Sequence, residues 1–217
     1  MGSTALAKFV GILPCLLTGA TSHAKAPEPP AAAAASGPAI PATKDFGAAD
    51  FVANPPTRSQ VSSPNGDHVF VVHSPDAWQS KRATGRLFKL TSGGLHLEWE
   101  RELPQEYGPR YFLVGNQGQT VLFDEWINIK SRYAVVLIHP KNNLAVTHGF
   151  DSVAATLNMP VAAITARAKH GWWIDGLPWL DSNGDRALVA TGGKCLAISL
   201  NSGQLSLAGS LPLNCRP

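Results

Sequence analysis

The chain of 217 residues has no run of 18 or more apolar residues. A helix that spans a bilayer needs roughly 20. It also has little net charge, +3 in total. Its basic residues (Lys81, Arg82, Arg101, Arg110, Lys130, Arg132, Arg167, Lys169) are scattered, whereas a nucleic-acid footprint needs them clustered on one face. Cysteine is scarce, at three residues without a Cys-x-x-Cys pair, which argues against a zinc site. Catalytic signatures are missing as well. There is no Gly-x-Ser-x-Gly elbow, no His-Glu-x-x-His and no phosphate-cradling Gly-x-x-x-x-Gly-Lys. The histidines of the mature chain (His68, His73, His96, His139, His148, His170) show no ligand spacing. Gly149-Phe150-Asp151-Ser152 is no nucleophile motif. Asp181-Ser182-Asn183-Gly184-Asp185 imitates the start of a calcium loop, but Arg186 and Gly192 stand where an EF-hand needs Gly and Glu, so it reads as a hairpin.

What is present begins with an export signal. Lys8 precedes the short apolar stretch Phe9 to Leu17, and small residues follow as far as Thr21-Ser22-His23-Ala24, the pattern of a secretory signal peptide over residues 1–24. Cleavage removes Lys8 and Cys15 and lowers the charge from +3 to +2. Residues 25–44 are rich in Pro and Ala with almost nothing to bury, and read as a disordered linker. Residues 45–217 can form one domain with a sizeable core. The expected location is periplasmic or secreted, with no membrane contact after cleavage. Cys195 and Cys215 remain as a pair, and in an exported protein a pair suggests a disulfide that staples the C-terminal tail.

The strongest pattern is a figure written three times. Val61-Ser-Ser-Pro-Asn65-Gly66-Asp67 leads into His68–Val72. Leu113-Val-Gly-Asn116-Gln117-Gly118-Gln119 leads into Thr120–Phe123. Leu180-Asp-Ser-Asn183-Gly184-Asp185 leads into Arg186–Ala190. Each is followed by a second apolar strand and a second turn. Asn-Gly signals type I′ hairpin turns, in which both residues take positive φ. The apolar runs are nearly unbroken, as suits strands covered on both faces. Each repeat can be drawn as a four-stranded meander, the first with strands near 60–63, 68–73, 85–90 and 95–103. Between the second and third copies, Asp151 is a candidate N-cap, and one or two short helices are expected within 151–168. Trp172 and Trp173, read as strand neighbours, should point to opposite faces.

Thr91-Ser92-Gly93-Gly94-Leu95 with Trp99, and Leu200-Asn201-Ser202-Gly203-Gln204-Leu205, look like blade ends of quinoprotein-type or WD-type β-propellers. Asn65-Gly66-Asp67 and Asn183-Gly184-Asp185 resemble blade openings of bacterial propellers. The chain departs from the pattern in three ways. Trp99 lies one residue further from Gly94 than the motif has it, the third repeat lacks this Trp, and only three repeats are visible where propellers have at least four blades. A fourth blade from residues 45–60 plus the C-terminus would close the ring; a sandwich or an open barrel is the alternative. The resemblance brings no quinone site, and no cofactor is expected. The fold class is therefore mainly β, with three four-stranded antiparallel meanders and one or two short helices.

The loops after the core strands carry the candidate contact residues. Trp78 follows the first repeat, and Asp124, Glu125 and Trp126 follow the second. An acid beside a Trp offers a flat apolar surface with hydrogen-bonding capacity; otherwise each Trp caps the end of its own blade. The leading expectation is an exported, non-catalytic binding or scaffold module for an envelope protein or a glycan, with homo-oligomerisation as a way to complete three blades. The alternative is an envelope hydrolase of glycan or peptide, with Asp124 or Glu125 as acid or base and its pKa raised beside Trp126.

Overall fold

The computed structural model describes residues 54–141, 145–208 and Cys215, all within one compact unit, Ala49–Pro217. The expected signal segment and linker lie outside the described residues. Three four-stranded antiparallel sheets account for the strands, each a meander of consecutive strands. The first comprises β1 (Arg58–Ser62), β2 (His68–His73), β3 (Thr84–Thr91) and β4 (Gly94–Glu102). The second comprises β5 (Pro109–Val114), β6 (Thr120–Glu125), β7 (Val135–Ile138) and β8 (Ala145–His148). The third comprises β9 (Trp179–Leu180), β10 (Arg186–Thr191), β11 (Lys194–Ser199) and β12 (Leu205–Leu207). Among the described residues there is no fourth sheet: Arg58 to Gln60, expected to help build one, belong to the first.

The three repeat turns share one construction. The N–H groups of Gly66, Gly118 and Gly184 donate to the carbonyls of Ser63, Gly115 and Asp181, at 2.9, 3.0 and 2.9 Å. Only the glycine takes a positive φ (+76°, +81° and +70°), while Asn65, Gln117 and Asn183 do not. The expected type I′ pair, which needs two left-handed residues, thus gives way to a longer loop that ends on one. These loops gather at one end of the sheets. The Asn65 N–H donates to Asn116 Oδ1 at 3.1 Å, and a Cβ on Gly184 would lie 2.9 Å from Asn116 Nδ2.

The sheets pack face to face, with the second in the middle. Every residue of β6 and β7 is buried. Their side chains alternate in direction. Val121, Phe123, Val135 and Leu137 share a core with Ala187, Val189, Leu196 and Ile198 of the third sheet. Leu122, Val136 and Ile138 share another with Phe70, Val72, Leu87 and Trp99 of the first. Two-sided burial explains the unbroken apolar runs.

The helices α1 (Phe150–Leu157) and α2 (Val161–Thr165) plug the interface between the second and third sheets through Phe150, Val153, Leu157 and Ile164. The N-cap of α1 is Gly149, and Asp151 lies inside the first turn, where its charge favours the helix dipole instead of capping the helix. No described helix is long and apolar enough to cross a membrane.

The outer sheets end differently. On the third, Leu188, Cys195 and Ala197 are covered by Cys215, which is disulfide-bonded to Cys195 with Cα atoms 5.5 Å apart. On the first, the outward side chains of the β3–β4 hairpin stay in solvent, with Leu90, Leu95 and Leu97 at 52%, 59% and 43% exposure. Truncating Phe123, which is fully buried, should cost about 3–5 kcal/mol, whereas Leu95→Ala should change stability by under ~0.5 kcal/mol. Urea unfolding of the two variants tests the central position of the second sheet, and equal losses would contradict it.

Candidate functional site

At the end of the sheets opposite the repeat turns lie the loops singled out from sequence. Trp78 is buried in the core between the first and second sheets. Its indole N–H donates to the Pro55 carbonyl at 2.7 Å, and its ring stands 5.8 Å from that of Tyr107. It closes the end of its own sheet. Glu125 is also buried and accepts a short hydrogen bond from the Ser131 hydroxyl. Trp126 is half-buried, with the Arg110 guanidinium 5.6 Å above its ring.

Asp124 is the most unusual of the four. It closes β6 in a left-handed conformation, φ 56°, which Asp tolerates better than most residues. It is 1% exposed. Arg110 Nε lies 3.8 Å from its Oδ2, while the same guanidinium donates to the Trp126 carbonyl at 2.6 Å. Gly171 makes room for this pairing, since a Cβ there would stand 3.0 Å from Asp124 Oδ2 and 3.1 Å from Arg110 Cδ. Burial pushes the Asp124 carboxyl up to about 6. The Glu125 and Trp172 N–H groups, Arg110 and the Trp173 indole face the carboxylate and oppose that rise, yet neither oxygen completes a hydrogen bond. Desolvation wins.

Trp172 and Trp173 lie in a bend, not a strand. Trp173 is fully buried, and Trp172 packs edge-on against Phe150, with ring centroids 4.4 Å apart.

At the turn end, sequence reasoning missed a cleft of about 550 Å³ between the first and second sheets. One wall is a cross-strand row, His68–Lys89–His96, on adjacent positions of β2, β3 and β4. The other is formed by Asn116, Gln117, Pro140 and Lys141 from the turns of the second sheet. A β-bulge completes the first wall. Leu87 pairs with Trp99, but Phe88 pairs with Leu97, so Glu98 is the extra residue. Bulges re-aim side chains, and here Glu98 joins the cleft with Oε2 3.6 Å from Nε2 of buried His68. His68 Nδ1 is buried and has no hydrogen-bond partner among the described residues. A smaller recess of about 180 Å³ adjoins, sharing Gln117, Pro140 and Lys141 and adding Gln119, His139 and Asn201. Asp67, also on the cleft, is held by the Asn65 side-chain amide at 2.8 Å.

The calcium-like loop is spent on its own turn: the Asp181 carboxylate accepts from the Asp185 and Arg186 N–H groups at 3.0 and 3.2 Å and from Arg186 Nε at 2.9 Å. Among the described residues no three acids, histidines or cysteines gather as a metal site.

Fold and site together define a mainly β protein of three meander sheets with a polar cleft where the first two meet. No protein-family model matches the sequence, and no curated protein does. Among solved structures, TolB from Acinetobacter baumannii is 12% identical with a TM-score of 0.37 over 70% of this chain and 33% of TolB. A europium-containing methanol dehydrogenase is 12% identical with a TM-score of 0.32, over 69% of this chain and 24% of that protein. Both are β-propeller proteins. The chain spans a third or less of the length of either.

The buried carboxyl has a consequence for stability. Between its ordinary value of 3.8 and about 6, folded Asp124 keeps a proton that the unfolded chain has released. Stability therefore falls as pH rises through that window. Asp124→Asn removes the loss. The variant should match the parent near pH 3.5 and exceed it by up to about 3 kcal/mol at pH 7, as read by urea unfolding at both pH values. A variant less stable than the parent at pH 7 would show that the ion pair with Arg110 outweighs desolvation.

Proposed function

We propose that the protein is an exported, non-catalytic binding module of β-propeller-like build, and that its ligand occupies the cleft between the first and second sheets. One observation carries this reading: the cleft assembles a cross-strand row of titratable side chains and a bulge-directed carboxylate on one wall and polar turn residues on the other. Export is supported by the Cys195–Cys215 disulfide, a bond of oxidising compartments. The opposite loops offer less. Trp78, Asp124 and Glu125 are buried, which leaves Trp126 as the accessible part of that surface. A hydrolytic acid or base must touch its substrate, and the burial of Asp124 and Glu125 weighs against the enzymatic alternative.

A thermal-shift screen of sugars, peptides and small organic acids against the parent, His96→Ala/Glu98→Gln and Trp126→Ala tests the reading. Ligand at 100 times its Kd adds about 2.7 kcal/mol, a shift of a few degrees. Hits should vanish in the cleft variant and persist in Trp126→Ala. The reverse pattern would move the site to the loops, and turnover of a hit would restore the enzyme.

A second reading, self-association, has its own observation. The outer face of the first sheet exposes Leu90, Leu95 and Leu97 beside the cross-strand pair Arg86–Glu100, whose side chains lie 3.0 Å apart. Such a face presents both charge signs next to an apolar strip, so a two-fold-related copy can bury leucine on leucine and match Arg to Glu. Light scattering should find a dimer that Leu95→Asp/Leu97→Asp splits; a monomer at tens of micromolar would exclude it.

A further inference from the structure

The charges of the cleft divide unevenly between its walls. The first sheet contributes Asp67, Lys89 and Glu98, and the second contributes Lys141. With the histidines counted neutral, the first wall carries one net negative charge and the second one positive charge. The cleft is balanced in total but polar from wall to wall. Its hydrogen bonds leave these charges in place: Asp67 accepts from the neutral Asn65 amide at 2.8 Å, and Glu98 faces His68 at 3.6 Å. Among the described residues, no ion pair includes Asp67, Lys89 or Lys141. A multiply charged ion of either sign is attracted by one wall and repelled by the other. A ligand with one charge of each sign, set apart, is attracted by both.

We infer that the cleft takes a small zwitterion of amino-acid type, a free amino acid or a short peptide with both termini unblocked. Its ammonium group lies against Glu98 on the first wall, and its carboxylate lies against Lys141 on the second. The inference rests on the cleft being the binding site. Each pole also needs hydrogen-bond partners, because an ammonium only donates and a carboxylate only accepts. Glu98 and Asp67 accept, Lys141 donates, and the side-chain amides of Asn116 and Gln117 do either. The bulge matters here, since it brings the Glu98 carboxylate onto the wall that faces Lys141. A volume of about 550 Å³ falls in the usual range for small-molecule pockets. The adjoining recess of about 180 Å³ shares Lys141 and adds Gln119, His139 and Asn201. None of these three brings a fixed charge, so the side chain it accepts is small and uncharged.

The test uses the full chain at neutral pH and low salt, with the imidazole NMR signals of His68 and His96 reporting occupancy of the cleft. Four probes share one core and differ in their end charges: Ala-Ala, N-acetyl-Ala-Ala, Ala-Ala-amide and N-acetyl-Ala-Ala-amide. Ala-Ala should shift both signals saturably. An exposed ion pair is worth a factor of up to about 5, so blocking one end should weaken binding about 5-fold and blocking both about 25-fold. Glu98→Gln should weaken Ala-Ala and Ala-Ala-amide about 5-fold and spare N-acetyl-Ala-Ala. Lys141→Gln should weaken Ala-Ala and N-acetyl-Ala-Ala to the same extent and spare Ala-Ala-amide. Unchanged thermal unfolding of the two variants would confirm that they fold. Alanine compared with Ala-Ala separates an amino-acid site from a peptide site, and binding of either supports the inference. Equal affinity for the doubly blocked peptide and Ala-Ala would overturn it, as would an end-charge preference that both variants leave intact. Silence from alanine and every peptide, with shifts by a sugar or an organic acid, would overturn the zwitterion while keeping the cleft as a binding site. Silence from all of these ligands would overturn both.

Discussion

The structure depends on the two-sided burial of its second sheet. A four-stranded meander with one apolar face needs one partner, but here the middle meander has two, and every position of β6 and β7 is inside. Side chains alternate across a strand, so such a strand has no face left for polar chemistry. Anything polar is driven to the strand ends. At one end of β6 it becomes the buried Asp124–Glu125 pair, and at the other the Gln117–Gln119 turn that meets the cleft. The location of both candidate sites follows from packing before any question of ligand arises.

The two ends deal with polar groups in opposite ways. At the Asp124 end, protein atoms close over the charge. Arg110, the tryptophans and Gly171, whose lack of a side chain permits the close approach, surround the carboxylate, and the price is a pKa near 6. A strained φ, a buried acid and an imperfect ion pair often mark function. Here they accompany near-total exclusion of solvent, so they describe a stressed joint between the second sheet and the Trp172–Trp173 bend more than a reaction centre. At the turn end a cleft stays open between the first two sheets, and Lys89, His96 and Glu98 remain within reach of solvent.

Much of the fold was legible in the sequence because its signals are local. Glycine at a fixed place before an apolar run marks each meander, and the unbroken run of Ala134–Ile138 reports burial on both faces. The two cysteines reported the staple. The turn type was misjudged because Asn-Gly tolerates two left-handed residues without requiring them, and the loop around Asn65 uses one. The Trp172–Trp173 pair was assigned to a strand, yet it lies in a bend with Gly171 at φ +138°. The cleft left no local trace. Lys89, His96, Asn116 and Lys141 come from four separate segments, and only strand register and sheet stacking bring them to one place.

One trace of the cleft was nevertheless present as an irregularity. Trp99 stands one residue further from its turn than the blade motif has it. The structure identifies the additional residue as Glu98, unpaired in the ladder between Leu97 and Trp99. Without the bulge, strict alternation would place residue 98 on one face and Trp99 on the other, so Trp99 could enter the core only with Glu98 turned away from His68. With it, Trp99 still packs against Phe70, ring centroids 5.4 Å apart, while the carboxylate reaches the histidine. The same register shift leaves Leu97 and Leu95 on the outer face with Phe88 and Leu90. A single inserted residue thus arms the cleft on one side of the sheet and sets the apolar strip on the other, so deleting Glu98 would disturb both surfaces through the ladder, at sites that share no side-chain contact.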